Sequence, residues 1–147
     1  IHVDGKIIDV IPTSQLDLEE KYYQKIPYEN SKISIDNLKE DYFGKIFGTR
    51  SGDKGGCANL GVWAKSQEAY SFLFDFLTVK KLKELLPDLE KFEIDRFELP
   101  NIYSLNFYVH GILQDGVSSS TRMDGQAKSL GEYLRAKKIN FPEQLLK

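Results

Sequence analysis

One short segment of the chain, RSGDKGGCANLGV at residues 50–62, combines glycines, bases, an acid and an amide. Glycine adopts backbone angles closed to other residues, so such a segment can form a turn that points several N–H groups at one spot. Asp53 would supply a proton acceptor or a cation ligand beside that turn. We therefore expect an anion-binding turn, with ligand-binding candidates Arg50, Ser51, Gly52, Lys54, Gly55, Gly56 and Asn59.

The glycine spacing in this segment matches neither of two familiar phosphate-binding loops. The patterns GxxxxGKS, GxxxxGKT and GxGxxG are all absent from the chain. Any anion bound here would be held by a different arrangement of donors. A hairpin loop with solvated charges is the alternative interpretation of the same residues.

A second group of candidates lies in residues 102–110, where apolar and polar residues alternate as in a strand with one buried face. The polar set contains Asn106 and His110, and an imidazole is suited to proton transfer or to pairing with an anion. A solvated sheet face is the alternative for this row. Arg122 could bind a carboxylate or a phosphate, or form a salt bridge with an acid such as Glu98.

Composition narrows the remaining chemistry. Cys57 is the only cysteine, which excludes a disulfide within the chain and favours a reducing, cytoplasmic compartment. With one cysteine and two distant histidines, we predict no metal site. A net charge of -2 without a basic run argues against nucleic acid as a partner. No apolar stretch approaches the roughly 20 residues that span a bilayer, so no membrane partner is expected.

The elements that would position these candidates divide the chain into three parts. Residues 1–12 predict a β-hairpin, because the turn pair Asp4-Gly5 is flanked by alternating apolar residues. Residues 13–41 lack clear periodicity and predict a linker, whereas residues 42–147 predict one compact domain. Since the first residue is isoleucine, we expect the chain to begin inside a longer protein.

Within residues 42–147, the apolar pattern predicts the element order β-β-α-α-β-β-α. YFGKIFGT and LGVWA predict the first two strands, while Ser66, Thr78 and Asp124 predict helix N-caps. KFEIDRFEL and IYSLNFYVH predict the second strand pair. This order is typical of an α+β fold. We expect a ferredoxin-like two-layer sandwich, with a mostly antiparallel sheet and helices on one face.

Three blocks of residues resemble, in order, the C-terminal domain of the acyclic terpene utilisation (AtuA) family. They are RSGDKGG and ANLGV within residues 50–62, ELPN, LNF and HG within residues 98–111, and GV, RMD and KSLG within residues 116–131. Residues 1–12 are similar to the tail of the larger domain that precedes this one in the family. Cys57 departs from the family pattern, which has a polar residue at that position.

The resemblance implies a ferredoxin-like fold without an iron–sulfur cluster, and a parent protein associated with acyl-CoA and isoprenoid catabolism. We expect a C-terminal accessory domain that binds an anionic group, such as a CoA phosphate, at the glycine-rich segment. Asn106, His110 and Arg122 would complete the site. No resident cofactor is expected beyond a CoA-type ligand.

Two other functions remain open from the sequence. The first is a small lyase or hydrolase in which His110 or Asp53 acts as the catalytic base, with activity that depends on a preceding domain. The second is an interaction module that docks onto its own N-terminal domain or onto a second copy. Exposed aromatics, Trp63 among them, would form that surface.

Overall fold

The computed structural model describes residues 2–7 and 37–147. Strands β1 (His2–Val3) and β2 (Lys6–Ile7) pair antiparallel around Asp4-Gly5, whose φ angles of 48° and 74° suit a two-residue hairpin turn. The predicted hairpin is therefore confirmed for residues 2–7. The rest of the predicted hairpin, and the predicted linker up to residue 36, lie outside the described residues.

The second described range contains the remaining helices and strands. In chain order they are β3 (Leu38–Tyr42), α1 (Phe43–Ile46), β4 (Gly48–Lys54), β5 (Cys57–Trp63), α2 (Gln67–Phe76), α3 (Val79–Leu85), β6 (Ile94–Leu99), β7 (Ser104–Val109), α4 (Leu130–Arg135) and β8 (Lys138–Pro142). Short 3₁₀ turns occupy Pro87–Leu89, Pro100–Ile102 and Glu143–Leu146.

The main sheet has four antiparallel strands in the order β4-β5-β7-β6. Helices α2 and α3 connect β5 to β6, and β7 lies between those two strands. This is the split β-α-β crossover of a ferredoxin-like layout. Strand β4, which precedes β5 in the chain, forms the edge of the sheet next to β5. The strand after α4, β8, pairs instead with β3 in a separate sheet.

Helices cover one face of this sheet, and no helix within residues 37–147 covers the other, which we call the uncovered face. Along β5 and β7, alternate residues such as Leu60 and Phe107 are fully buried, and the residues between them are partly or fully exposed. The fully buried Leu73 of α2 and Leu82 of α3 belong to the same hydrophobic core. The expected two-layer α+β sandwich is confirmed.

Two of the three predicted helix starts are confirmed, and one is wrong. Ser66 Oγ accepts the N–H of Ala69, and Thr78 Oγ1 accepts the N–H of Lys81. Helix α4 begins at Leu130, later than the predicted cap at Asp124. The Asp124 carboxylate instead accepts backbone N–H groups of the loop before the helix.

The segment YFGKIFGT, predicted as a strand, also differs from the prediction. Its centre is the one-turn helix α1, which places Phe43 and Phe47 on the same side with ring centroids 4.8 Å apart. Both rings are buried, and a helical turn brings residues four apart side by side, whereas a strand would hold them much farther apart. In addition, β3 begins at Leu38 and pairs with β8, so residues at the end of the predicted linker belong to this small sheet.

Candidate functional site

The glycine-rich segment forms a β-hairpin, whereas we expected a turn that points several N–H groups at one spot. Strands β4 and β5 pair from Gly48–Trp63 to Lys54–Cys57, so only Gly55 and Gly56 lie in the connection. Gly55 has φ of +63°, the positive value that a type II′ turn requires at its first loop position. Residues 50–54 and 57–62 are thus held in paired strands.

Strand alternation separates the candidates in this hairpin onto two faces. Arg50 and Gly52 pair with Gly61 and Asn59, and these four residues lie on the uncovered face. Ser51 points to the helical side, where its Oγ accepts the N–H of a residue in α4 at 2.9 Å and donates to a backbone carbonyl at 3.1 Å. Ser51 therefore fastens α4 to the sheet.

A row of polar side chains crosses the uncovered face from β5 to β6. Asn59 Nδ2 donates to Asn106 Oδ1 at 3.3 Å, and His110 Nε2 lies 2.8 Å from Asp95 Oδ2. The Tyr108 ring meets the His110 ring edge-on, with centroids 4.9 Å apart. A carboxylate that orients an imidazole is the arrangement used by general bases.

Cys57 lies at the end of this polar row. Its Sγ accepts the backbone N–H of Gly111 at 3.4 Å. A hydrogen bond between Tyr108 and Cys57 raises the pKa of the Tyr108 phenol, with smaller contributions from burial and from the charges of Cys57 and Asp95. The phenol therefore stays protonated and can donate to the sulfur.

The other end of the uncovered face is apolar. Four large side chains, which we call the apolar end, are partly exposed to solvent: Trp63 (40%), Phe97 (51%), Leu99 (42%) and Ile102 (65%). Phe97 and Leu99 are neighbours on β6, whereas Trp63 lies on β5, across β7, with its indole packed over Gly48 of β4. Ile102 lies in the 3₁₀ turn between β6 and β7.

Arg96 and Glu98 of β6 lie on the helical side, opposite Asp95. The Arg96 guanidinium donates to Glu98 at 2.6 Å and to the backbone carbonyl of Phe74 at 2.7 Å. It also lies over the Phe74 ring, 4.9 Å from the centroid. Phe97, between these two charged residues, consequently faces away from the helices.

The structure brings together only part of the predicted site. Arg50, Gly52, Asn59, Asn106 and His110 share the uncovered face, with Lys54 at the end of β4. Asp53 lies on the opposite face, because it alternates with Gly52 and Lys54. Arg122 does not lie on the uncovered face either, because it lines a surface cavity beside the end of α3 and the start of α4.

A family model for the AtuA ferredoxin-like domain matches residues 43–140, which is more than half of the chain. The chain belongs to this family. No curated protein and no solved structure showed significant similarity to it. The matched region of this AtuA ferredoxin-like domain extends from α1 into β8 and includes the whole four-stranded sheet.

The sequence interpretation overlooked two residues of the uncovered face in this AtuA-family domain, Asp95 and Phe97. Both belong to the run KFEIDRFEL, in which Asp95, Phe97 and Leu99 alternate with Ile94, Arg96 and Glu98. The alternation was visible, but neither set is uniformly apolar. The face of β6 that would be buried could therefore not be identified from the pattern.

The described residues contain neither a metal-binding cluster nor a membrane-spanning helix. Within residues 2–7 and 37–147, no three His, Cys, Asp or Glu side chains come close enough together to hold a metal ion. No helix in the same ranges combines the length and apolar character needed to cross a membrane.

Proposed function

We propose that this chain is an accessory domain of a protein of acyl-CoA and isoprenoid catabolism, and that it works by pairing with a second copy through its uncovered sheet face. Family membership supports the metabolic context. The pairing is supported above all by β6, which presents Phe97 and Leu99 to solvent while Arg96 and Glu98 face the helices.

Burial of the apolar end would favour association. Contiguous exposed apolar residues on a soluble domain typically mark an interaction surface. Complete removal of a large apolar side chain from water contributes about 1.5–3 kcal/mol. Because the four side chains of the apolar end are only partly exposed, each would contribute less than this on pairing. Trp63 is suited to such a contact, since tryptophan is enriched where interfaces are most strongly stabilised.

Charge placement supports a second copy as the partner. Arg50 and Lys54 lie on β4 at one edge of the sheet, whereas Asp95 lies on β6 at the other, with exposed Glu93 just before it. A two-fold axis parallel to the strands would place the β4 edge of one copy over the β6 edge of the other. Basic residues would then face acidic ones while the apolar ends meet.

Sedimentation equilibrium of the chain tests this pairing. We expect a monomer–dimer equilibrium that weakens by about tenfold or more in Phe97→Asp, because a charge would have to be buried in the interface. Met123→Ser is the matched control, since Met123 is fully exposed but lies at the Arg122 cavity. Arg50→Glu should also weaken pairing, and Asp95→Lys in the same chain should restore part of it. A monomer at every concentration would refute the proposal.

A second function, binding of an anionic group such as a CoA phosphate, is favoured by the open space around Gly52. A Cβ atom added at Gly52 would meet no atom within 4 Å, so a ligand can approach the backbone there. Arg50 is exposed beside it, and the bonded amides of Asn59 and Asn106 follow. Titration with CoA and with inorganic phosphate, followed by amide NMR, should shift Gly52 and Asn59. Unchanged signals throughout Gly52–Gly56 would refute this site.

For the enzymatic alternative, we propose His110 as the base. This choice is supported by its contact with Asp95 at 2.8 Å, whereas Asp53 lies on the opposite face of the sheet. A hydratase or hydrolase activity at this face would therefore be abolished by His110→Ala and retained by Asp53→Asn. Loss of activity in Asp53→Asn alone would contradict this assignment.

A further inference from the structure

A surface cavity of about 380 Å³ lies on the helical side of the domain. Exposed Met123 and Tyr133 supply its accessible apolar surface over the buried Leu86 and Leu130, and Arg122 lines the same space. Arg122 also borders a second cavity of about 390 Å³ next to the 3₁₀ turn Pro87–Leu89. These volumes are within the range of small-molecule sites.

The Arg122 guanidinium has no acidic partner within the part of the chain that the structure describes. The salt bridge to Glu98 considered from the sequence is not formed, because Glu98 pairs with Arg96. Asp124 also lines the cavity, but its two carboxylate oxygens accept the N–H groups of Lys128 and Ser129. A half-buried arginine without an acid is a ready partner for an external oxyanion.

We propose that this cavity binds a small carboxylic acid, with the carboxylate on Arg122 and the apolar body against Tyr133 and Met123. Guanidinium and carboxylate match in planar geometry and can form two parallel hydrogen bonds. The exposed tyrosine and methionine side chains favour an acid with an apolar chain over a bare inorganic anion. The site is separate from the uncovered sheet face and does not depend on pairing through it.

Asp88 is the acidic residue at the rim of both cavities. Its side chain is exposed, so water and salt screen its charge more strongly than that of half-buried Arg122. The charge still opposes a bound anion. Removing it by Asp88→Asn should therefore tighten carboxylate binding, an effect that a merely structural role of Asp88 would not produce.

Amide NMR of the chain with four probes tests the proposal: hexanoate, hexanol, acetate and inorganic phosphate. Hexanoate should cause saturable shifts at Leu86, Leu130 and Tyr133, whereas the uncharged alcohol and the two anions without a chain should bind at least about tenfold more weakly. Phosphate binding as tight as hexanoate would overturn the assignment, as would the absence of shifts with hexanoate.

Substitution of Arg122 completes the test. Arg122→Gln should weaken hexanoate binding by about tenfold or more, because it removes a charge-assisted hydrogen bond. Arg122→Lys should retain part of the affinity, and Lys65→Gln, at an exposed position between β5 and α2, should leave it unchanged. Amide spectra of the free variants report whether the fold is intact. Equal hexanoate affinity in wild type and folded Arg122→Gln would refute the proposal.

Discussion

At the scale of single residues, the polar row of the uncovered face is organised by hydrogen bonds that only partners from different strands can supply. Asp95 of β6 orients His110 at the end of β7, and Tyr108 of β7 bonds with Cys57 at the start of β5. Cys57 Sγ accepts the Gly111 N–H and raises the pKa of the Tyr108 phenol, so it belongs to this row.

The Tyr108–Cys57 contact predicts an effect on titration. Because the hydrogen bond to Cys57 is the largest cause of the raised Tyr108 pKa, Cys57→Ala should lower that pKa toward the ordinary tyrosine value. A group whose pKa is raised by folding stabilises the protein below its unfolded pKa, and this contribution is lost as pH rises through the folded value. Cys57→Ala should therefore show a smaller loss of stability at alkaline pH.

Carbon-13 ring signals of Tyr108, followed by NMR across the alkaline range, measure this pKa directly. Tyr133 is a suitable internal control, because it lies on α4, away from the polar row, and its ring contacts Lys137 beyond the end of that helix. A Tyr108 titration curve that is identical in wild type and Cys57→Ala would show that the sulfur is not its partner.

At the scale of elements, Gly52 and Gly56 of the β4–β5 hairpin have different structural roles. A Cβ atom at Gly56 would lie 2.1 Å from the backbone oxygen of Gln114, whereas one at Gly52 would meet nothing within 4 Å. The backbone N–H of Leu113 also donates to Gly56 O at 2.9 Å. Gly56 thus lets the loop after β7 pack directly on the hairpin end.

Alanine substitutions should separate these roles. Gly56→Ala should lower the free energy of unfolding by about 1–3 kcal/mol, because backbone would have to move to relieve the overlap. Gly52→Ala, the matched control, should be neutral or stabilising by up to about 1 kcal/mol, since its φ is not positive and the space is open. Urea unfolding of both variants provides the measurement. Equal destabilisation by the two substitutions would contradict the account.

Local signals in the sequence predicted most individual elements but not their long-range partners. Ser66 and Thr78 act as the expected helix caps, and β7 buries the expected residues, because these features depend on neighbours a few residues away. The pairing of Leu38 with Pro142 joins segments about a hundred residues apart, which no local pattern specifies. The same limit explains the separation of Arg122 from His110 into two sites.

At the scale of the whole molecule, the domain has two faces with different chemistry. The helical side encloses the core and carries the Arg122 cavity, whereas the sheet side presents an apolar end, a polar row and edges of opposite charge. A partner for this face would need its own apolar end and the two charged edges in exchanged positions, so that basic residues meet acidic ones. A second copy related by a two-fold axis, as we propose, would supply that partner.

Trp63 offers the most direct measurement of this pairing, because it is the only tryptophan of the chain and lies in the apolar end. Its indole is 40% exposed in the single chain, so burial at an interface should shift its emission to shorter wavelength. We expect this shift to grow with protein concentration in the wild type and to be absent from Phe97→Asp at every concentration. Emission that does not change with concentration in the wild type would contradict pairing through the uncovered face.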